Sequence, residues 1–286
     1  YILELLHEER LEEAISSLNQ LLEAAPTIPL EPILLLSDCE LKLHGPQAAE
    51  SAIRRTLEEH PQAPMPLWQR WCQLCFSELE RTPQEIMQQM SKWPALETGH
   101  TNAAQVQAML ESLMIRHEYL LNCGGQDYRA GDGRVWHADS FYTAGLRFFE
   151  SEGEPLLFAA PIDNTLDDVL YQTERYFDHR ARDKPLGYGI PLPNGNYRVT
   201  LGFAEIYDAD RSFDVLVEGE PVAKGYNPAT PDDLWATADE FEFQTEVLDG
   251  QLDIEFLSRN NADAKISCIA IKSINQLEDQ ASIDSQ

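Results

Sequence analysis

The stretch from Val169 to Phe177 combines aromatic rings with side chains that donate and accept hydrogen bonds. It has ring faces at Tyr171, Tyr176 and Phe177, and the polar sequence Gln-Thr-Glu-Arg lies between the two tyrosines. A flat apolar face beside directional hydrogen bonding suits a ligand that is apolar on one side and hydroxylated at its edge, as a sugar ring is. The same pattern also fits a buried strand with a satisfied polar network, so this stretch alone leaves both interpretations open.

Two shorter motifs could carry other chemistry, but their surroundings argue against it. Asp208 and Asp210 have the D-x-D spacing of a metal-bound sugar-nucleotide site, yet no alternating strand and helix pattern surrounds them, so we interpret them as a solvated loop. Cys72 and Cys75 form a C-x-x-C in a helical pattern without a second pair, which predicts two core thiols one turn apart. No carboxylate pair is marked by its spacing for glycoside hydrolysis. The sequence therefore predicts a non-enzymatic region with no catalytic residue, no metal site and no cofactor.

Composition and charge narrow the class of protein. The chain has 286 residues, of which 43% are hydrophobic and 9% aromatic, so it is globular and long enough for two domains. Its 49 acidic and 21 basic residues give a net charge of −28, which argues against a nucleic acid or an anionic membrane as partner. No apolar run has the length of a membrane span. Because Tyr1 already lies inside a helical pattern, we expect the chain to be part of a longer protein.

The cysteines are odd in number and scattered along the chain, and no Asn-x-Ser/Thr sequon occurs. Both features favour a reducing compartment, which indicates the cytoplasm. The five are Cys39, Cys72, Cys75, Cys123 and Cys268.

Residues 1–118 have apolar positions at helical spacing, and we interpret them as an all-α region. The predicted helices end at Pro26, Pro61 and Pro94, which are 35 and then 33 residues apart. This period resembles the tetratricopeptide repeat, in which two antiparallel helices form a unit of about 34 residues. The positions that match the small and large helix residues of that family are Ala14, Leu18, Ala49 and Ile53, with Thr82 at the small position of the third unit.

A last helical pattern, from Ala103 to His117, is typical of the helix that closes such an array. The resemblance implies a concave groove for a protein or peptide partner. A helical spacer without a partner is the alternative, and the pattern does not decide between them.

From Tyr119 the hydrophobic period changes from helical spacing to strict alternation, which predicts short strands with one apolar face each. The clearest examples run from Tyr197 to Phe203 and from Phe213 to Val217, and Ile266 to Ile271 reads as a closing strand. Turn signals separate them at 193–196, 218–219 and 249–250.

These features predict a two-domain chain. An all-α helical-repeat region at 1–118 is followed by an antiparallel β-sandwich at 119–274, which we expect to fold on its own, and by a polar linker or tail at 275–286. Glu174 and Arg175 are expected to form a structural ion pair. The side chains expected in the sandwich core are Trp136, Tyr197, Phe203 and Phe213.

The aromatic and polar motifs of this region form an ordered series. They are Asn122-Cys-Gly-Gly125, Trp136 with Ala138-Asp139 and Phe141-Tyr142, Leu170-Tyr-Gln-Thr-Glu-Arg-Tyr176, Gly202-Phe-Ala-Glu-Ile-Tyr207 and Arg211-Ser-Phe-Asp-Val215. Between about Leu121 and Ser273 the series resembles the malectin domain, a carbohydrate-binding β-sandwich. The resemblance implies a jelly-roll-like fold whose loops at one end form an aromatic cleft for glucose-containing oligosaccharides.

Two tyrosines carry the strongest implication from this resemblance. Tyr176 and Tyr207 match the binding tyrosines of the family at the ends of Y-Q-T-E-R-Y and F-A-E-x-Y. Asp208 stands where the animal members have a phenylalanine, so one stacking surface is replaced by a carboxylate that could bind a sugar hydroxyl.

The remaining family positions are matched less directly. The binding aspartate of the family falls on Ala262, which leaves Asn260, Asn261 and Asp263 as the polar candidates in that loop. A further binding tyrosine has three candidate counterparts, Tyr142, Phe148 and Phe149.

Three functions of different classes are compatible with the sequence. The first is a non-catalytic module that binds a neutral, glucose-containing oligosaccharide and is carried on a helical-repeat scaffold. The second is a protein-interaction unit in which sugar binding has been lost. The third is the targeting part of a larger enzyme that acts on glycans, which depends on sequence outside this chain.

Overall fold

The computed structural model describes residues 1–25, 27, 29–93, 101–143, 146–147, 150–151, 154–155, 158–180, 186–207, 209–229 and 235–274. Two compact units are present. The helical unit comprises Tyr1–Leu110 with the turns Pro191–Asn194 and Leu248–Gln251, and the β-sheet unit comprises Glu111–Ile190, Gly195–Val247 and Leu252–Gln286. The predicted linker or tail at 275–286 lies outside the described residues.

Seven α-helices occur in the described part of the chain. They are α1 (Ile2–His7), α2 (Leu11–Ala24), α3 (Leu30–His44), α4 (Pro46–Glu59), α5 (Met65–Ser77), α6 (Pro83–Met90) and α7 (Thr101–Arg116). Helices α1 to α5 pack as successive neighbours along the chain. Within the described ranges, no helix has both the length and the apolar character needed to cross a membrane.

The residues matched to the repeat pattern lie at different places in these helices. Ala14, Leu18, Ala49 and Ile53 are fully buried, as their matched positions require. Thr82, expected at a small position inside a helix, instead caps α6, because it accepts a hydrogen bond from the Glu85 amide at 3.3 Å and precedes a proline in the first turn. The tetratricopeptide identity of the helical unit stays a prediction.

All five cysteines are buried and none is in a disulfide. Cys72 and Cys75 are fully buried on α5, which confirms the prediction of two core thiols. Burial raises the pKa of Cys75 to about 12 and that of Cys268 to about 12. These thiols are therefore protonated at neutral pH, as enclosed core thiols are.

The β-sheet unit contains fifteen strands among the described residues. They are β1 (Glu118–Asn122), β2 (Tyr128–Arg129), β3 (Val135–Ala138), β4 (Leu146–Arg147), β5 (Glu150–Ser151), β6 (Glu154–Pro155), β7 (Arg175–Phe177), β8 (Gly187–Pro191), β9 (Gly195–Ala204), β10 (Phe213–Val217), β11 (Glu220–Tyr226), β12 (Ala238–Val247), β13 (Gln251–Ser258), β14 (Ala264–Ile266) and β15 (Cys268–Ser273). A short 3₁₀ turn at Asp168–Leu170 precedes β7.

Most strands belong to two larger sheets. One sheet has six strands in the order β12-β9-β15-β1-β3-β2, and the other has four in the order β11-β10-β13-β8. A three-stranded sheet, β14-β7-β4, and a two-stranded sheet, β5-β6, complete the described set. Within the six-stranded sheet, β1 and β3 run parallel and the other neighbouring strands run antiparallel. The pairs that β10 makes with β11 and β13, those that β7 makes with β4 and β14, and the pair β5 with β6 are also antiparallel.

The two larger sheets share a core built from alternating side chains. Phe203 of β9 and Phe213 of β10 meet with ring centroids 6.1 Å apart, which joins the six-stranded sheet to the four-stranded sheet. The predicted core positions Trp136, Tyr197, Phe203 and Phe213 are all buried, so this prediction is confirmed.

The closing strand differs from its prediction. Ile266 and Ile271 do not share a strand, because the chain changes sheet at Ser267: β14 pairs with β7, whereas β15 pairs with β9 and β1. The Ser267 amide donates to the Gly202 carbonyl at 2.9 Å, and its own carbonyl accepts from the Cys123 amide at 2.9 Å. Both backbone groups of Ser267 are thereby satisfied at the crossing.

Candidate functional site

Side chains around β7 alternate between the core and a second face. Phe177 is buried and its ring stacks on Phe256 with centroids 4.9 Å apart, so its face belongs to the core. Tyr176 is half-buried and is paired with Lys265 of β14. Because directly paired residues of antiparallel strands point to the same side, Tyr176 and Lys265 share the opposite face.

Arg175 forms its ion pair with Asp139 and not with Glu174. Its Nε and Nη2 atoms lie 2.6 and 2.5 Å from Asp139 Oδ2, and Tyr188 donates its hydroxyl to Oδ1 at 2.9 Å. Burial works to lower the pKa of Arg175, but attraction to Asp139 outweighs it and raises that pKa. The structural role predicted for Arg175 is confirmed. Its predicted pairing with Glu174 is wrong, because Glu174 precedes β7 and pairs with Lys265 instead.

Tyr142 lies on the same guanidinium group. The Cζ atom of Arg175 is 3.4 Å from the centroid of the Tyr142 ring, a cation–π contact, and 37% of Tyr142 remains exposed. A backbone bridge to Tyr188 fixes the chain at this point. The structure therefore connects Tyr142 to β7 through Arg175. Its alternatives, Phe148 and Phe149, lie outside the described residues.

A second charged network lies on the Tyr176 side of β7. Lys265 is fully buried, its Nζ is ion-paired with Glu174, and the same Nζ is 3.5 Å from Glu205 Oε1. Arg211 donates from Nε to Glu205 Oε2 at 2.7 Å. Two cations thus balance two carboxylates that are almost completely removed from solvent.

This network joins two of the predicted binding loops. The Tyr207 amide donates to Glu205 Oε1 at 2.9 Å, and Arg211 Nη1 donates to the Asp263 carbonyl oxygen at 2.6 Å. The Tyr207 side chain itself is 53% exposed. Buried charges therefore fix the backbone of both loops while the tyrosine ring faces solvent.

The two asparagines of the loop before β14, Asn260 and Asn261, differ in their roles. Asn260 donates from Nδ2 to the Asp210 carbonyl oxygen at 2.8 Å and accepts from the Ala262 amide at 3.1 Å, so its side chain organises the loop. Asn261 is exposed. Asp208, predicted to bind a sugar hydroxyl, lies outside the described residues.

Asp263 is held by His179, which follows β7. The His179 amide and its Nδ1 atom lie 2.9 and 2.6 Å from Asp263 Oδ1. No donor from the described part of the chain reaches Oδ2 of this half-buried carboxylate. One carboxylate oxygen is therefore fixed, and the other can accept from a ligand hydroxyl.

The same corner holds the only group that could bind a metal ion among the residues the structure describes. The ligand atoms of Asp178, His179 and Asp263 all lie within 4.8 Å of one another. The His179 to Asp263 contact is a hydrogen bond at 2.6 Å, which already accounts for the closeness of these two groups.

The N-x-G-G motif, Asn122 to Gly125, packs against the residues that immediately precede β7. Thr173 donates its hydroxyl to Asn122 Oδ1 at 2.9 Å, and Asn122 Nδ2 donates to the Gln126 carbonyl at 2.8 Å. Gly124 has a φ of +73°, and a Cβ at this position would lie 2.1 Å from the Glu174 carbonyl oxygen. The glycine therefore lets two motifs that are far apart in sequence touch through their backbones.

Three residues near these loops were not singled out from sequence as binding-site residues: His179, Arg211 and Trp235. The first two act through pairings with Asp263 and Glu205 that only the fold creates. Trp235 is 53% exposed, and its backbone is bridged to Glu205. A tryptophan in a segment rich in proline and aspartate was the one available sequence signal for it.

Comparison with known sequences gives the following matches. The family model described as the malectin domain matches residues 117–283. A probable LRR receptor-like serine/threonine-protein kinase of Arabidopsis thaliana is 30% identical over 142 residues, which are 40% of this chain and 13% of the kinase. Malectin-A of Xenopus laevis is 45% identical over 65 residues, which are 21% of this chain and 22% of that protein. The chain thus spans less than a quarter of the length of these relatives.

Solved structures give weaker matches. A plant receptor-like kinase, FER, is 25% identical with a TM-score of 0.42, covering 55% of this chain and 42% of that one. A β-glucuronidase of Bacteroides uniformis is 21% identical with a TM-score of 0.46, covering 55% of this chain and 18% of that one.

Proposed function

The chain belongs to the malectin domain family, and from this membership we propose that its β-sheet unit is a carbohydrate-binding module for neutral, glucose-containing oligosaccharides. The helical unit is then the scaffold that carries the module. The function needs no chemical step, because recognition requires only an aromatic platform and directional hydrogen bonds.

One observation carries the proposal. The balanced network of Lys265, Arg211, Glu174 and Glu205 lies beneath the loops, and the groups above it are an exposed tyrosine ring and a carboxylate oxygen without a donor among the described residues. A neutral ligand fits such a surface, because the charges that could attract an ion are already paired with one another.

The proposed binding mode follows from these groups. The apolar face of a pyranose ring lies on Tyr207 and Tyr176, and its hydroxyls bond to Asp263 Oδ2 and to the exposed Asn261. Asp208 supplies a further acceptor. Tyr142, which packs on Arg175 on the opposite face of β7, is a further candidate contact. A shallow site that leaves the sugar partly solvated should bind the oligosaccharide with a Kd on the order of micromolar to millimolar.

The tyrosines provide the first test. Replacing Tyr176 or Tyr207 with alanine should lower affinity for the preferred glucose disaccharide by roughly 1–3 kcal/mol, because each change removes a stacking face. The measurement is calorimetric titration of the full chain with disaccharides of the α1→3, α1→4, α1→6, β1→3 and β1→4 linkages. Asp208→Ala and Asp263→Asn should each weaken binding by a smaller amount.

The matched control is Tyr1→Ala, which removes a ring that is 74% exposed in the helical unit. It should leave affinity unchanged. Unaltered affinity in folded Tyr176→Ala and Tyr207→Ala proteins would move the site elsewhere in the β-sheet unit.

Charge predicts the class of glycan. The net charge of −28 should repel sulfated and uronic polymers, so neutral glucans should bind more tightly than heparin at low salt. Competition between a labelled neutral glucan oligosaccharide and heparin, measured from low to high salt, checks this. Tighter binding of heparin at low salt would contradict the proposal.

A second function, recognition of a protein or peptide, is favoured by a groove in the helical unit. The groove has a volume of about 1190 Å³ and lies along α2, α3 and α4. Its lining combines apolar side chains with three glutamates, Arg55 and His60, and this excess of acidic groups suits a partner segment with apolar and basic residues. Lining residues include Leu22, Ile33, Ala52, Glu23, Glu40 and Glu59. Failure of the chain to bind any glycan in the titration above would favour this function.

A further inference from the structure

Trp235 is placed beside the same residue that anchors Tyr207. Its backbone is bridged to Glu205, and the next residue, Ala236, donates its amide to the Glu205 carbonyl at 2.7 Å. The Glu205 carboxylate accepts from the Tyr207 amide at 2.9 Å. Glu205 therefore carries an exposed aromatic residue on each side, one attached through its backbone and one through its side chain.

The indole of Trp235 is both exposed and braced. Its exposed fraction is 53%, and Phe158 meets it edge to face with centroids 5.3 Å apart and an angle of 82°. Phe158 is itself fixed, since its amide donates to the Gln172 carbonyl at 2.9 Å. A large ring held in this way loses little conformational freedom when a flat ligand lies on it.

An unused carboxylate belongs to Asp163, whose backbone is bridged two residues after Trp235. Asp163 is bridged to Thr237, and its amide donates to the Ala236 carbonyl at 2.8 Å. The chain turns at Ala236, whose φ is +53°, so Thr237 and its bridged partner Asp163 are placed within two residues of Trp235. Asp163 is exposed, and no hydrogen bond to its carboxylate is made within the described ranges.

We propose that Trp235 and Asp163 form a second sugar-binding subsite next to the one at Tyr207. The inference rests on the proposed function and extends it: the ligand is a gluco-oligosaccharide longer than a disaccharide. Each subsite then offers the same two groups: an aromatic ring for the face of one sugar residue and a carboxylate that accepts from its hydroxyls. Glu205 lies between the two subsites and fixes their spacing.

The test compares short and long ligands of one linkage. The full chain is titrated with maltose and maltotetraose, laminaribiose and laminaritetraose, and cellobiose and cellotetraose. In the series that binds best, the tetrasaccharide should bind about tenfold more tightly than the disaccharide, because it covers a second ring. Trp235→Ala should abolish this gain and leave disaccharide affinity within about twofold of wild type.

Two further variants guard against a folding artefact. Trp235→Phe keeps an aromatic face and should retain most of the gain, whereas Asp163→Asn should reduce it severalfold without changing side-chain volume. Leu257→Ala, at an exposed apolar position of β13, should change neither affinity.

The outcomes separate this inference from the proposed function. Disaccharide binding with no length dependence, or a tetrasaccharide affinity unchanged in both Trp235→Ala and Asp163→Asn, overturns the second subsite and leaves the proposed function intact. Absence of binding to all six compounds and to the linkages of the first panel overturns both.

Discussion

Replacing Lys265 with methionine should lower the free energy of unfolding of the β-sheet unit by about 3–5 kcal/mol. Lys265 is fully buried and supplies the ion-pair partner of Glu174 within the described structure. The variant would leave that carboxylate out of water without a cation, and the distance of 3.5 Å from Nζ to Glu205 would be lost as well. Native-state hydrogen exchange of peptides from 118–274, measured in the full chain, gives the unfolding free energy of this unit.

Two further variants test whether the loss of stability comes from the unpaired buried charge. Lys272→Met removes an exposed lysine of β15 and should change stability by no more than about 0.5 kcal/mol. Adding Glu174→Gln to Lys265→Met removes the unpaired charge and should recover a large part of the loss. If Lys265→Met costs no more than Lys272→Met, the buried carboxylates do not depend on this cation.

Replacing Gly124 with alanine should cost about 2–5 kcal/mol of stability in the same unit. Its φ of +73° is unfavourable for a residue with a Cβ, and that Cβ would lie 2.1 Å from the Glu174 carbonyl oxygen. The Cβ is fixed by the backbone of residue 124 and the oxygen belongs to the backbone of Glu174, so no side-chain rotation can relieve the contact. Because Glu174 is two residues before Tyr176, the shift should also weaken glycan binding in any protein that still folds.

Gly133→Ala is the control that separates the two effects. Gly133 has a φ of +85°, but nothing lies within 4 Å of a Cβ built there. It should therefore show the conformational cost alone, about 1–2 kcal/mol. Equal losses in the two variants would mean that the close approach of Gly124 to Glu174 adds nothing.

Sequence reasoning succeeded where the determinants are local. The alternation from Tyr197 to Phe203 predicts β9 and its buried face, because burial of every second side chain is a property of the strand itself. The turn at Glu218-Gly219 was predicted for a similar reason: both residues adopt positive φ, 50° and 75°, and they join β10 to β11.

The remaining features depend on which distant segments meet. Ile266 to Ile271 has uniform strand character, so its composition cannot reveal that the chain leaves one sheet for another at Ser267. The partner of Arg175 is Asp139, 36 residues away, although an acidic neighbour is adjacent in sequence. Pairings of this kind are decided by the face to which each strand residue points once the sheets are assembled.

The candidate site shows the same division. Its aromatic members were predicted because they occupy motif positions, and Asp263 was predicted because it stands in the loop that matches the family's binding aspartate. His179 and Trp235 were missed because their roles arise from contacts with Asp263 and Phe158 across 84 and 77 residues of chain. Whether the site residues bind a sugar together stays a prediction that the titrations decide.

The buried thiols can report local unfolding of the part of the chain in which they lie. A protonated, enclosed thiol reacts with an alkylating reagent only when the packing around it is disrupted. Cys39, Cys72 and Cys75 belong to the helical unit, and Cys123 and Cys268 to the β-sheet unit. The pattern of alkylation on a single molecule would therefore record which unit opened, and in which order, without any added label.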